Sequence, residues 1–596
     1  MNLLELASLV ITPNAYKEGK LFSVIPSNGT GGLDVVRATT KTRVNPQGLI
    51  EDLPYNLLRY SEDFENVGWS RIATGTATLP TVVANNALSP EGKLNADTIT
   101  FGNATGSDQS IINQTINLST GEYTLSVYLK SNTEGTKIIL RNGSTNSLLT
   151  LTNQWVKYSL TATSTSIFIE AGLKNQPSEG ATNNQVVLAW GAQFIRGSIE
   201  KPYFPTTDRL NVPSIDYTDG GCPSILLEPQ TTNLNTFSED FTDASYQKTR
   251  SSISSNVALS PDGNNTADKL IATTDNNNHQ VSKTYSNTVG SKVSFSVFVK
   301  KSELIYCQLR ITDNATNNGG TQNSFNALYD LQNGVITSTI ESGVVNSLNP
   351  FTSIKSFGND WYRCEIGLKK SSNQVRTDVS IFTSNSSTAV TNPVYVGNNV
   401  DGFFIFGQQI EERAATSYIP TVGSAVTRNA DVISKTGISD LINSQEGSFF
   451  IHVKIPITTN QKDLGITDGT SNNYLVFNTV NLSCAFIYRV NGITQASIQA
   501  SNSGDFMKLV GTYKQGQFKL FKNGVKVNEY FTGDVSNIDI FNTFSFSRGQ
   551  FNNFEGNLKE VQLYKTALSD EECILLTSTS YFTYQEMATA LNYVTQ

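Results

Sequence analysis

The sequence predicts an all-β protein built from tandem β-sandwich or jelly-roll modules with a short C-terminal helix. Three observations carry that expectation. A long stretch of the chain occurs twice, strand-like runs return at intervals of about 10 to 15 residues with turn formers between them, and the composition suits polar-faced sheets. Met is scarce at 3, charged residues make up 16% and aromatics reach 10%, while Asn, Thr, Ser and Gly abound. That balance favours sheets over helices. At 596 residues the chain exceeds what one core supports, and a prior of roughly 100 to 200 residues per domain gives three or four domains.

Residues 1–55 do not match the repeats. They are broken by turn formers at Pro13-Asn14, Ser27-Asn28-Gly29 and Gly31-Gly32. The expectation is an anchor or docking segment that either packs on the first repeat or joins the protein to a larger assembly. The opening Met1 to Ile11 lacks the features of a secretion signal, because the first basic residue is Lys17, Glu5 interrupts the apolar run, and no small-residue cleavage site follows.

The first module spans 56–207 and opens on Asn56-Leu57 leading to Ser61-Glu62-Asp63-Phe64. The second spans 232–424 and opens on Asn233-Leu234 leading to Ser238-Glu239-Asp240-Phe241. The same landmarks then follow in one order. They are Ala87-Leu88-Ser89-Pro90 and Ala258-Leu259-Ser260-Pro261, the alternating runs Tyr123–Lys130 and Val293–Lys300, the strands around Trp155 and Trp361, and closing segments ending at Pro205-Thr206 and Pro420-Thr421. The second copy carries extra material between Lys300 and Trp361, including the polar loop 313–320 and a hairpin turning at Asn333-Gly334. A joint at 208–231 separates the copies. Its Arg209-Leu210-Asn211 and Ile225–Glu228 resemble Arg43-Val44-Asn45 and Gly48–Glu51, and Thr427-Arg428-Asn429 is a third trace. These read as extended arms whose apolar patches lie on a neighbouring module.

A third module is expected over 425–578. Gly447–Ile455 and Leu509–Tyr513 read as strands, and Phe518–Val527 reads as a hairpin turning at Asn523-Gly524. Phe554-Glu555-Gly556-Asn557-Leu558-Lys559-Glu560-Val561-Gln562-Leu563-Tyr564, followed by Ala567-Leu568-Ser569-Asp570-Glu571-Glu572, resembles the strand and short capped helix of concanavalin A-like, laminin G-like domains. The tail, 579–596, is expected to form a helix capped at Thr583 by Glu586, with Met587, Leu591 and Val594 on one face.

Charge and composition exclude several functions. With 43 basic and 51 acidic residues the formal net charge is −8, and no window is densely basic, so a nucleic-acid partner is not expected. No apolar run reaches the roughly 20 residues that span a bilayer, so no membrane insertion is expected. Five scattered cysteines, Cys222, Cys307, Cys364, Cys484 and Cys573, form no CxxC pair and argue against a disulfide framework or a zinc site. Cys307 and Cys364 share a repeat and either meet across strands or stay as buried thiols.

Enzymatic candidates are few. Two histidines, His279 and His452, support neither a His-based triad nor a multi-His metal site. The repeated Glu62-Asp63 and Glu239-Asp240 are adjacent on the chain, so on a strand their side chains face opposite ways and do not converge on one substrate atom unless a bulge or turn intervenes. The chain is therefore expected not to be an enzyme and to need no cofactor.

Binding is better supported, because a sugar site needs an exposed aromatic plate beside Asn, Gln, Asp or Thr. Trp69 is the candidate plate, although Tyr246 stands at the matching place and points to a shared role in the fold. Trp155 and Trp361 also correspond and are expected in the core. For calcium, which takes about six to eight oxygens, the weak candidates are Asp463, Asp468 and Asn472, with Asn473 beside them, in what otherwise reads as an ordinary polar loop.

The repeated openings, together with the closings Tyr203-Phe204-Pro205-Thr206 and Tyr418-Ile419-Pro420-Thr421, resemble the carbohydrate-binding-like modules of structural proteins in tailed bacteriophages, the head fibres, spikes and tail fibres. The Asn-rich, charge-poor composition suits a phage of gut bacteria, of which crAss-like phages are one kind. The resemblance implies a virion protein assembled in the host cytoplasm and anchored to capsid or tail through its N-terminal segment. It also implies a homotrimer whose modules bind cell-surface or mucus glycans. The alternatives are a polysaccharide-trimming enzyme and an architectural decoration protein that binds nothing outside the particle.

Overall fold

The computed structural model describes residues 3–118, 120–313, 323–343, 349–370, 376–443, 445–457, 460–531, 541–546 and 553–578. The chain divides into two compact units. One holds both repeats, Leu49–Arg209 and Thr231–Arg428, and the other gathers Met1–Gly48, Leu210–Gln230 and Asn429–Gln596.

Each repeat is a sandwich of two antiparallel sheets. In the first, one sheet runs Thr145–Thr150, Lys137–Asn142, Phe168–Asn175, Ser110–Asn117, Ser70–Ala73, and the other runs Val156–Ser164, Gly121–Lys130, Val186–Arg196, Leu94–Thr100, Thr81–Leu88. Alternation along the strands sends Leu125, Val127 and Leu129 from one sheet, and Ile112, Leu140 and Leu173 from the other, into a shared core. The second repeat has the same plan with six strands in each sheet, its core formed by such residues as Phe295, Val297, Leu309, Ile381 and Ile405.

The repeated landmarks are the buried polar fittings of this plan. Asp97 accepts the backbone N–H groups of Phe64 (2.7 Å) and Asn85 (2.8 Å), and Asp268 accepts those of Phe241 (3.2 Å) and Asn256 (3.0 Å). The opening Asn56 accepts from Phe194 N–H at 3.1 Å, as Asn233 does from Ile410 at 3.1 Å. The indoles of Trp155 and Trp361 donate to Leu88 O and Leu259 O, both at 3.0 Å. Each sheet register slips at one matching place, Ser126/Tyr128 and Ser296/Phe298. There Gly191 and Gly407 take φ of 64° and 63°, a left-handed backbone that favours glycine.

The arm before the first repeat lies on the second. Ile50 N–H donates to Pro261 O at 3.0 Å, and the side chain packs with Phe298, Trp361, Phe406 and Tyr418.

In the other unit, one sheet is built on Gly556–Tyr564, Glu446–Lys454, Phe506–Lys514, Gln517–Lys522 and Val525–Phe531. Ala7–Ile11 and Ser224–Leu227 both pair with Gly556–Tyr564. In the facing sheet Leu33–Val36 pairs with Val432–Thr436. The sequence sets residues 1–55 apart as a segment of their own and 208–231 as a joint. The structure instead makes most of both part of this sandwich. Their apolar residues, Leu9, Ile11, Leu33, Ile225 and Leu227, fill its core beside Phe449 and Leu509.

Charge ties the same three chain segments together. Arg37 and Lys41 reach Asp431 at 2.6 and 2.9 Å, and Lys41 reaches Glu228 at 2.8 Å, all of them buried. Buried charges require such pairing, and removing one partner of a buried pair costs about 3–5 kcal/mol.

The helix at the end of the described chain is Asp570–Ser578. Ser569 caps it reciprocally, its Oγ accepting from Glu572 N–H (3.2 Å) while Glu572 accepts from Ser569 N–H (2.8 Å). Cys573 and Leu576 pack with Phe450, Val510 and Phe521. The helix expected over 583–594 lies outside the described residues.

Candidate functional site

Trp69 is not an exposed plate. It is 3% exposed, its ring lies 4.6 Å from that of Phe64, and its indole N–H donates to Tyr60 O. Tyr246 occupies the equivalent place against Phe241 and donates to Phe237 O. The pair is a core fitting, and the aromatic match between the repeats was the signal for it. Trp361 is buried as expected of a core residue, whereas Trp155 is half-buried under Lys130, whose Nζ lies 5.5 Å from the ring.

The calcium candidates do not converge. Asp463 is fully buried within the strand Lys462–Thr467 and accepts from Asn478 at 2.6 Å. Asp468 lies just past the other end of that strand, about 16 Å along at ~3.3 Å per residue. There it closes a turn by accepting from Thr470 N–H and Asn473. Asn472 is exposed beside it. Among the described residues no group of three His, Cys, Asp or Glu is placed to hold a metal ion.

The repeated acidic pairs serve separate turns. Glu62 accepts from Tyr203 OH and Asn95, while Asp63 accepts from Asn66. Glu239 accepts from Tyr418 OH, and Asp240 from Thr242. Burial pushes the Glu239 carboxyl up to about 7, against the opposing pull of Arg196. Arg196 itself pairs with Asp262 at 3.1 Å. His279 is buried, with Nδ1 2.6 Å from Arg250 O and Nε2 3.1 Å from Tyr395 O, so it ties loops together. Cys307 and Cys364 are both buried free thiols.

The surface with the character of a binding site is the outer face of the first repeat's Phe168–Asn175 sheet, which sequence reasoning did not single out. Because Ile112 and Leu173 point into the core, their neighbours Asn113, Thr115 and Asn117 and the alternating Phe168, Glu170 and Gly172 share the opposite face. Arg141 joins them across Gly172. Phe168 is 60% exposed at one end of this row. Arg141 pairs with Glu170 and donates from Nε to Gly143 O at 3.1 Å. Further along, buried Lys174 pairs with Glu179 at 2.9 Å, while exposed Lys137 at the start of the strand Lys137–Asn142 has no carboxylate partner among the described residues.

Gly172 makes a notch at the centre. A Cβ there would sit 2.1 Å from Ile112 O and 2.6 Å from Asn113 Cα, so only glycine fits. Beside the notch the side chain of Asn113 is fully buried, and neither its Oδ1 nor its Nδ2 has a protein partner. An orphaned buried amide costs about 1–3 kcal/mol. Such groups are satisfied by a water, an ion or a ligand.

In the second repeat the equivalent face carries different residues. Ser380 stands for Gly172, Ser282 for Asn113, Arg310 for Arg141 and Asp378 for Glu170, by the pairings of the equivalent strands. The chain at 389–392 bonds the strand that carries Arg310. Val390 exchanges two hydrogen bonds with the Gln308 amide, at 2.7 and 3.1 Å, and Ala389 N–H donates to Ser338. Arg310 donates to Asn392 Oδ1 at 2.9 Å and to Thr391 O at 3.3 Å, and its guanidinium lies 4.6 Å from the Phe382 ring. The matching Leu140-Arg141 and Leu309-Arg310 were the available sequence signal for the site.

Residues 431–573 match the concanavalin A-like lectin/glucanases superfamily. That span is the last chain segment of the unit carrying the N-terminal strands, and it agrees with the laminin G-like resemblance. No curated protein sequence matches the chain. Among solved structures, the chain is similar to the CBM40 module of Ruminococcus gnavus IT-sialidase bound to α2,3-sialyllactose. Identity there is 20%, over 22% of this chain and 83% of that one, with a TM-score of 0.20. It is similar to the CBM22-1–CBM22-2 tandem of Paenibacillus barcinonensis Xyn10C at 11% identity, over 60% and 98% of the two chains, with a TM-score of 0.20. Mouse laminin α1 domains LG4-5 match at 9% identity, over 50% and 89%, with a TM-score of 0.16. Likenesses this distant say nothing about a ligand.

Proposed function

We propose that the chain is a non-enzymatic fibre or spike protein of a tailed-phage virion, and that its first jelly-roll module binds a neutral glycan of the host surface or of mucus. The observation that carries the glycan reading is the outer face of the first repeat. An exposed ring, Phe168, lies beside the exposed Thr115 and Asn117 and the Arg141 guanidinium, with the orphaned amide of Asn113 buried just below them, on a surface most of whose charges are paired. A sugar presents an apolar ring face to the phenyl group and hydroxyls to Thr115, Asn117 and the guanidinium. Weak single contacts gain avidity when several copies are displayed, which suits a trimer.

The virion role rests on the repeated module openings and closings described above. Its partners would be capsid or tail proteins, met through the unit that contains the N-terminal strands. Because residues 3–48 supply strands and core to that unit, deleting them would unfold it, so attachment is better tested by cross-linking on purified particles. Electron microscopy with an antibody to the chain should place it on the virion surface, and its absence from particles would refute this part. A glycan array probed with the whole chain, as monomer and as a multivalent display, should show binding to neutral oligosaccharides. No binding at any valency would refute the glycan reading. Incubation with the bound glycan should release no new reducing ends, whereas their appearance would make the chain an enzyme.

A further inference from the structure

The lectin-like unit carries a cluster of different chemistry from the face just described. Phe449, Ile451 and Val453 of the strand Glu446–Lys454 face the core, so His452 and Lys454 lie on the opposite face. Lys454 is paired in register with Phe506, and His452 with Lys508. On the other side His452 pairs with Glu560, but Val453 pairs with Leu558, which leaves Lys559 as the extra residue of a β-bulge. A bulge re-aims the side chain it inserts. The Lys559 ammonium accordingly reaches a point 4.3 Å from the centre of the Phe506 ring, with Lys454 at 5.6 Å and the His452 imidazole edge-on at 5.5 Å.

Two lysines and an imidazole therefore gather around one half-buried phenyl ring, with Lys508 in register opposite the imidazole. Lys454 has a carboxylate partner in Asp219 at 2.9 Å, and Lys508 faces the buried Glu560. Lys559 makes no ion pair with a described carboxylate. With Lys454 and Lys508 already facing carboxylates, Lys559 carries the uncompensated positive charge beside the ring, which an anion from outside would neutralise. Burial, with Lys508 and Lys559 nearby, pushes His452 down to about 3, which leaves a neutral imidazole able to hydrogen-bond at pH 7.

We propose that the Phe506 cluster binds the carboxylate or sulfate of an acidic glycan, with Lys559 as the main contact and Lys454 as the second. The site is separate from the neutral-sugar face of the first repeat and does not depend on it. Three probes separate the sources of the charge: oligogalacturonate for carboxylate, dextran sulfate for sulfate ester, and unmodified dextran as the neutral control. The whole chain should bind at least one acidic probe over dextran, and more weakly as salt rises. Lys559→Gln should weaken that binding about tenfold, the loss expected for one charge-assisted contact. Lys559→Arg should retain most of it, with the thermal unfolding of both variants close to that of the unaltered chain. Phe168→Ala should leave acidic binding unchanged, so that failure of the first repeat's site cannot be mistaken for failure of this one. In the Phe168→Ala protein, equal binding of acidic and neutral probes would overturn the proposal, and so would an acidic probe that binds Lys559→Gln as tightly as the unaltered chain.

Discussion

In the first repeat the row Phe168, Glu170, Gly172 lies beside an Asn113 amide that no protein group bonds, while in the second repeat the neighbouring strand, with Gln308 and Arg310, is bonded by the chain at 389–392. The buried fittings of the two copies are nevertheless the same, from Asp97 and Asp268 to Trp155 and Trp361. The duplicated fold has thus kept what holds each sandwich together and diverged in the residues and loop contacts of one sheet face. In one copy Arg310 spends its hydrogen bonds on its own loop. In the other, Arg141 sits on a face where those loop contacts are missing.

The comparison breaks most easily at the shared fittings. Asp97→Ala and Asp268→Ala each leave two backbone N–H groups without an acceptor, at about 1–3 kcal/mol for each group. Both should destabilise their repeats by a similar amount in denaturant unfolding. A large loss in one repeat alone would show that the skeleton is not equivalent.

The next test separates the two arginines. Arg310→Ala should cost about 2 kcal/mol of stability, because Thr391 and Asn392 lose their charged donor, and should leave glycan binding unchanged. Arg141→Ala should cost less stability and weaken binding about tenfold. A reversed pattern would put the ligand on the second repeat.

A smaller effect is expected from pH. The Glu239 carboxyl moves from its ordinary 4.5 to about 7 on folding, so between those values the folded protein keeps a proton that the unfolded chain has released. Stability should fall as pH rises across that window and level off above it. Asp97 and Asp268, both pushed up to about 6 by burial, add to the same slope. Glu239→Gln should flatten the decline only in part, and a decline as steep as that of the unaltered chain would show that Glu239 does not keep its proton.

The duplication was legible in the sequence because its landmarks are the residues that the sandwich cannot do without. Asn56 and Asn233, or Trp155 and Trp361, bond the backbone of distant strands, so they recur in order. The laminin G-like strand and its capped helix were legible for the same reason. The membership of residues 3–48 in the C-terminal sandwich was not, since strand pairing between Ala7 and Tyr564 leaves no local trace in either segment. The binding face stayed hidden because Asn113 and Gly172 acquire their meaning from a register that joins two strands. The exposed plate was sought among tryptophans, whereas the exposed ring on that face is Phe168.

The central claim is that Asn113 is kept for a ligand and not for the fold. Replacing it as Asn113→Leu removes the orphaned polar group, so denaturant unfolding should show unchanged or slightly higher stability, by up to about 1 kcal/mol. Titration of the same variant with the neutral oligosaccharide found on the array should show binding at least tenfold weaker than that of the unaltered chain. Unaltered affinity in a stably folded Asn113→Leu protein would contradict the account.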